Sequence, residues 1–288
     1  MRFRFNSLPG SLPDGISNRK TNRAYTALAA SFALAVLPLS GCYKSIASES
    51  SKNTSLSGNT SNSQDDFFDE LENEYETSTE NVATTEIVVE EFSAEDLRQW
   101  KERMFKGSSS YRPDVVDQRS VLEAKANASA SLLFRQQLVN LEKSPVLKWT
   151  WKISNTYQQL ASGQIDERSR GGDDFPARVY VVFRDGPLPS NALAINYVWA
   201  SGETTGTYWP NPYQKNAIMM VVESGDARAG QWVSHERNVA EDFKRLFGKD
   251  ISTLHGYAVM VDGDNTGNTT TSWFDRLSFS AAGGSMLQ

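Results

Sequence analysis

From residue 86 onward, apolar and polar positions alternate in short runs. Gly, Pro, Asn, Asp and Ser separate the runs, and this is the pattern of strands half buried on a core. The clearest run is Val146–Ile153, which sets Trp149, Trp151 and Ile153 on one face and Lys148, Thr150 and Lys152 on the other. The densest is 171–183. There Phe175, Ala177, Val179, Val181 and Phe183 form a core row, and Arg178, Tyr180 and Val182 form a second row expected to be partly wet. Similar runs predict strands over 87–92, 111–117, 120–126, 130–137, 192–199, 217–222, 232–237, 257–262 and 273–279. Arg184-Asp185-Gly186-Pro187 supplies turn chemistry after the central strand.

Two short helices interrupt the strands. Ser93, with Asp96 three residues on and Phe92 placed to staple Leu97, predicts one over 94–101. Asn238 and Glu241 start the other, Val239, Phe243, Leu246 and Phe247 make its apolar stripe, and Gly248 stops it. Many strands and little helix indicate an all-β fold, a β-sandwich over 86–288.

The N-terminal third reads differently. Residues 1–42 carry Arg2, Arg4, Arg19, Lys20 and Arg23 ahead of an uncharged Ala- and Leu-rich run, 24–39, which is short for a membrane span. Residues 43–64 are Ser, Asn, Thr and Gly with few apolar positions, and 65–80 are acidic with Phe67, Phe68, Leu71 and Tyr75 interspersed. Such a stretch cannot bury enough surface to offset the entropy of ordering, so 43–85 is read as a disordered acidic tether. The i, i+4 spacing of its apolar residues also permits a short docking helix.

Composition narrows the picture. The chain has 288 residues and one cysteine, Cys42, so no intrachain disulfide can form. The formal net charge is −6, but the leader holds five basic residues and one acidic, while the tether holds two basic and nine acidic. The acidity belongs to the tether and the domain is close to balanced. No basic stripe argues for nucleic acid.

Candidate chemistry gathers at the mouth of the central strand. Asp173, Asp174 and Arg178 admit three readings: an ion pair fixing a loop, a ligand or metal mouth, and acid/base catalysis. The run 262–268, Asp-Gly-Asp-Asn-Thr-Gly-Asn, is a turn rich in oxygen ligands. It has the first half of an EF-hand loop but lacks the Glu at the twelfth position, where Trp273 stands. Asp264 and Asn265 from it are candidate polar contacts, and proximity to Asp173 and Asp174 would strengthen a site there. Trp199, Tyr208, Trp209 and Tyr213 surround a Thr-, Gly- and Pro-rich loop, and Trp199, Tyr208 and Trp209 are candidate stacking surfaces. Neither His235 nor His255 neighbours a Ser or Cys in a nucleophile-like context, and no Gly-x-Ser-x-Gly elbow is present.

Leu39-Ser40-Gly41-Cys42 resembles a bacterial lipoprotein box. The resemblance implies cleavage before Cys42, acylation there and attachment to a lipid bilayer. Tyr43 in place of Asp favours the outer membrane in a two-membrane cell. The pieces Trp149-Thr150-Trp151-Lys152, Gly172-Asp173-Asp174-Phe175-Pro176-Ala177-Arg178, Ile195-Asn196-Tyr197-Val198-Trp199 and Met260-Val261-Asp262-Gly263-Asp264-Asn265-Thr266 together resemble a bacterial family, domain of unknown function 3047. Glu90-Glu91-Phe92 and Phe274-Asp275-Arg276-Leu277 are similar to the ends of the galactose-binding-like jelly roll of carbohydrate-binding modules. That likeness implies a structural calcium on Glu91 and Asp275, although Ser93 replaces an acidic residue usual there.

These features together point to a lipid-tethered envelope binding module for carbohydrate or another envelope glycopolymer. Its alternatives are a glycan hydrolase using Asp173 or Asp174 with Asp264, and a scaffold docking an envelope protein complex.

Overall fold

The computed structural model describes residues 88–157, 163–184 and 192–283. The leader with Cys42, the tether and the Asp185-Gly186-Pro187 turn lie outside the described residues.

The strands are β1 (Val88–Glu90), β2 (Lys101–Lys106), β3 (Ser110–Val116), β4 (Arg119–Asn127), β5 (Ala130–Asn140), β6 (Val146–Ile153), β7 (Ala177–Arg184), β8 (Ala192–Ala200), β9 (Tyr208–Pro210), β10 (Ala217–Ser224), β11 (Val233–Asn238), β12 (Thr253–Asp262) and β13 (Thr269–Ser280). They form two sheets packed as a β-sandwich. Sheet one runs β11-β6-β13-β4-β3, with β1 also on β13; sheet two runs β2-β5-β12-β7-β8-β10-β9. Strand β8 pairs in parallel with β10, and the other described pairs are antiparallel.

The alternation in β6 is realised as expected. Trp149, Trp151 and Ile153 enter the core between the sheets and meet Tyr197, Trp199, Val179, Val259 and Phe274. The Trp151 ring lies 6.0 Å from that of Trp199 and 6.4 Å from that of Phe274, inside the range of favourable aromatic pairs.

The second helix forms as the sequence predicts. Helix α1 (Val239–Phe247) is capped by Asn238, whose side chain accepts the Glu241 N–H at 3.2 Å, and it stops at Gly248 with φ +71°. That left-handed angle favours glycine. The first helix reduces to a single 3₁₀ turn, Asp96–Gln99. Ser93 and Asp96 do exchange the two capping hydrogen bonds, at 3.1 Å each. The turn ends because Trp100 is drawn under Tyr257 and Phe92 and 101–106 pairs with β5. Burying an indole outweighs continuing an exposed turn.

Strand β7 differs from expectation in one respect. Arg178, Tyr180 and Val182 are not partly wet: both faces of β7 are buried. A second apolar layer, with Leu132, Phe134, Tyr180, Ala258 and Met260, lies on the outer face of sheet two. A strand covered on both faces reads as a continuous apolar run, and an arginine there requires partners.

Candidate functional site

The mouth of β7 is a closed polar knot. Arg178 is fully buried, and its Nε donates to Asp262 Oδ1 at 2.8 Å while Nη2 donates to Asp262 Oδ2. Nη2 also donates to the Asp173 carbonyl at 2.6 Å. Burial works against the guanidinium charge, but Asp262 and Asp173 more than offset it and raise its pKa well above the usual value. Register explains the meeting: Arg178 faces Met260 across β7 and β12, so Asp262, two residues further on, points to the same outer face.

Asp174 is equally enclosed. Its Oδ1 accepts the Asn265 N–H at 3.2 Å and Nδ2 at 3.0 Å; its Oδ2 accepts the Thr266 N–H at 2.6 Å and hydroxyl at 2.7 Å. Run 262–268 therefore does sit beside Asp173 and Asp174, but Asn265 and Thr266 spend their donors on Asp174, and the Asp173 carboxylate accepts from Asn211 Nδ2 at 3.3 Å. Gly172 is needed in this knot, since a Cβ there would lie 2.3 Å from the Asp166 carbonyl oxygen.

Asp174, Asp262 and Asp264 bring carboxylate oxygens within 4.8 Å of one another. Calcium takes six to eight oxygen ligands with free lone pairs. Here N–H, O–H and guanidinium donors already hold Asp174 and Asp262, so this set does not fit the ion. Glu91 and Asp275, placed at a calcium by resemblance, are likewise held by cations. Arg276 Nη2 binds Glu91 at 2.8 Å and Arg119 pairs with Asp275. Chelation with EDTA is expected to leave the melting temperature unchanged; a fall of several degrees would restore a structural calcium.

Asp173 carries a pH dependence. Burial pushes its carboxyl up to about 6, with Arg178 pulling it down and Asp174 adding to the rise. A carboxyl raised in the folded state contributes stability that is complete below its unfolded value near 3.8 and is lost as pH climbs through 6. Relative to Asp173→Asn, the natural protein should lose on the order of 2–3 kcal/mol between about pH 4 and pH 7. Urea unfolding of both proteins across that range measures it, and a constant difference would refute it.

The aromatic candidates divide. Trp199 is fully buried in the core and cannot stack on a ligand, which corrects that expectation. Trp209 is 6% exposed, packed on Phe175 with the Arg168 guanidinium 5.2 Å from its ring centroid. Tyr208 is 51% exposed, with Arg245 at 5.6 Å. Asp173, Asp174 and Arg178 have no exposed surface either, so the predicted binding mouth is part of the fold.

The accessible site lies on the opposite sheet. An open groove of about 940 Å³ crosses the outer face of sheet one. Thr150 of β6 and Ser234 of β11 form its floor, with their hydroxyl oxygens 2.7 Å apart. Lys148 and Glu236, ion-paired at 3.1 Å, continue the floor along the same two strands. Asp275, Arg276 and Ser278 of β13, Glu91 after β1, and Gln118, Arg119 and Ser120 at the start of β4 complete the lining.

The groove exists because β4 leaves the sheet. Strand β4 pairs with β13 as far as Leu122 opposite Phe274. A bulge follows between Asp275 and Leu277, and β1 takes over the pairing from Leu277 to Phe279. Bulges bend a strand and re-aim its side chains. The outward positions Lys148 and Thr150 were visible in the sequence as the polar face of β6. Nothing in the sequence marked the departure of β4.

The chain belongs to the family described as "Protein of unknown function (DUF3047)", whose model matches residues 98–278. Among solved structures it is similar to a cellulase derived from that of Rhodothermus marinus, with 10% identity over 67% of this chain and 98% of the other and a TM-score of 0.38. It is also similar to the family 11 carbohydrate-binding module of a Clostridium thermocellum cellulosomal cellulase, with 7% identity over 66% and 91% and a TM-score of 0.37. The family 30 module from a cellulosomal cellulase of the same organism gives 8% identity over 65% and 93% and a TM-score of 0.39. No curated protein matches the chain.

Proposed function

We propose that this domain is a carbohydrate-binding module that holds an envelope glycopolymer in the groove on the outer face of sheet one. The observation that carries the reading is the groove's lining. Hydroxyls from Thr150 and Ser234 stand beside carboxylates and cations that are already paired with one another. Paired charges cancel in the far field but keep spare donors and acceptors. Such a surface suits a ligand dense in hydroxyl groups and offers little to a polyanion or an apolar chain.

The hydrolase alternative loses its residues. Both carboxyl groups are buried, that of Asp173 against Arg178 and Asn211 and that of Asp174 on Asn265 and Thr266, so they cannot flank a substrate bond. The scaffold alternative rests on tether residues outside the described part. For attachment, the Leu39-Ser40-Gly41-Cys42 box supports an exported protein acylated at Cys42, with the outer membrane favoured. Dual acyl chains would hold it stably where one would be marginal.

Co-sedimentation with purified sacculi and a panel of insoluble polysaccharides tests the reading. Saturable binding to at least one polymer is expected, and no binding to any would end it.

A further inference from the structure

The groove is closed at one end by the tip of the β3–β4 hairpin. Where β4 leaves β13, the hairpin turns back over the outer face of sheet one. Its tip, Asp117 and Gln118, takes φ of +52° and +64°, a left-handed turn built without glycine. Non-glycine residues hold such angles only where surrounding contacts over-determine them.

Those contacts span the sheet. Asp117 Oδ2 accepts the Trp232 indole N–H at 2.9 Å and pairs with Lys152 at 3.1 Å. Arg119 pairs with Asp275 and places its guanidinium 5.4 Å from the centre of the Trp232 ring. Trp232 precedes β11 and Lys152 lies on β6, so an arm rooted on β4 reaches across β13 and β6 to the far edge strand. Lys152 is also 5.4 Å from the Trp232 ring and 5.6 Å from that of Trp273. The row Trp232, Lys152 and Trp273 is thereby spent on anchoring the arm, and the groove begins on the next row, at Thr150 and Ser234.

We infer that the groove recognises the end of a glycan chain, with the arm as the wall against which the terminal sugar abuts. This rests on the carbohydrate reading and adds a ligand class to it. A groove open at both ends can slide along a polymer interior, but a chain crossing this face would run into Gln118 and Arg119 where the arm meets Trp232. The arm is fixed by charges that are partly exposed, so it can be removed without disturbing the core.

The test uses purified sacculi, intact or partly digested with lysozyme so that they still sediment. New glycan ends are counted as reducing sugar. At saturation, the protein bound per mass of sacculi should rise in proportion to the number of ends. The double variant Asp117→Ala/Arg119→Ala, which frees the arm, should bind intact sacculi to a higher capacity and lose the dependence on ends. Equal capacity of the natural protein on intact and digested sacculi would overturn end recognition and leave the carbohydrate reading standing. No binding to either preparation would overturn the envelope-glycopolymer reading and this inference with it. If the double variant does not fold, as judged by its melting curve, the natural protein's two capacities decide alone.

Discussion

Arg178→Met is expected to destabilise the domain by about 3–5 kcal/mol, a large share of the stability of an ordinary domain. The guanidinium is wholly buried and holds Asp262 through two donors and the Asp173 carbonyl through one. Methionine matches the aliphatic stem but leaves the Asp262 carboxylate in a low-dielectric site without a cation. Asp262 must then take up a proton or draw in water, and either is costly. The same logic predicts a rescue. Adding Asp262→Asn to Arg178→Met removes the stranded charge and should recover at least half of the loss. Urea unfolding of the three proteins reads both effects. A loss under about 1 kcal/mol for Arg178→Met, or no recovery in the double variant, would show that the pair does not lock the mouth of β7.

Thr150→Trp is expected to weaken polysaccharide binding by at least about a hundredfold, near 3 kcal/mol, while leaving stability almost untouched. Thr150 is half-buried on the outward row of β6, where its hydroxyl meets Ser234 at the centre of the groove floor. An indole there fills the space a sugar ring would take. Tryptophan suits a strand, and the position faces away from the core, so the fold should accept it. Trp209→Ala serves as the contrast: its ring packs on Phe175 and is 6% exposed, so its loss should lower the melting temperature before it affects binding. Undiminished binding by Thr150→Trp would move the ligand off this face. Equal loss of binding and stability would make Thr150 a structural residue.

Much of the architecture was legible because side-chain period is a local property. The alternation in Val146–Ile153 settled which residues of β6 face the core, and the capping pattern at Asn238 and Gly248 settled α1. Two edge strands escaped notice for physical reasons. Strand β2, Lys-Glu-Arg-Met-Phe-Lys, is polar because edge strands carry charge, and β9 has only three residues. The aborted helix after Ser93 shows the limit of capping signals: the box formed, but Trp100 was worth more in the core than in a second helical turn.

The acidic mouth of β7 turns inward. Asp173, Asp174, Arg178, Asp264 and Asn265 are polar residues close in sequence to a buried strand, and they do converge in space. Sequence cannot show whether such groups point at solvent or at one another. Here hydrogen-bond accounting decides it: Asp174 accepts from four donors and Asp262 from three, so those two carboxylates are satisfied from within, while Asp173 Oδ1 is buried without a hydrogen-bond donor among the described residues. The groove is the reverse case. Lys148, Thr150, Ser234, Glu236, Asp275 and Glu91 come from four segments of the chain and look like ordinary solvent-facing residues.

The chain by itself determined what depends on neighbours along the backbone: a β-sandwich over its C-terminal two-thirds, the inward rows of its strands and the capped helix. Tertiary structure alone decided which acidic residues are buried, which tryptophans are core and where an open surface lies. The reason is the register between distant strands. Asp262 lies two positions beyond Met260, the partner of Arg178, and one bulge at Asp275 lets β4 peel away to wall a groove. Register is fixed by the packing of whole faces, and no local pattern encodes it.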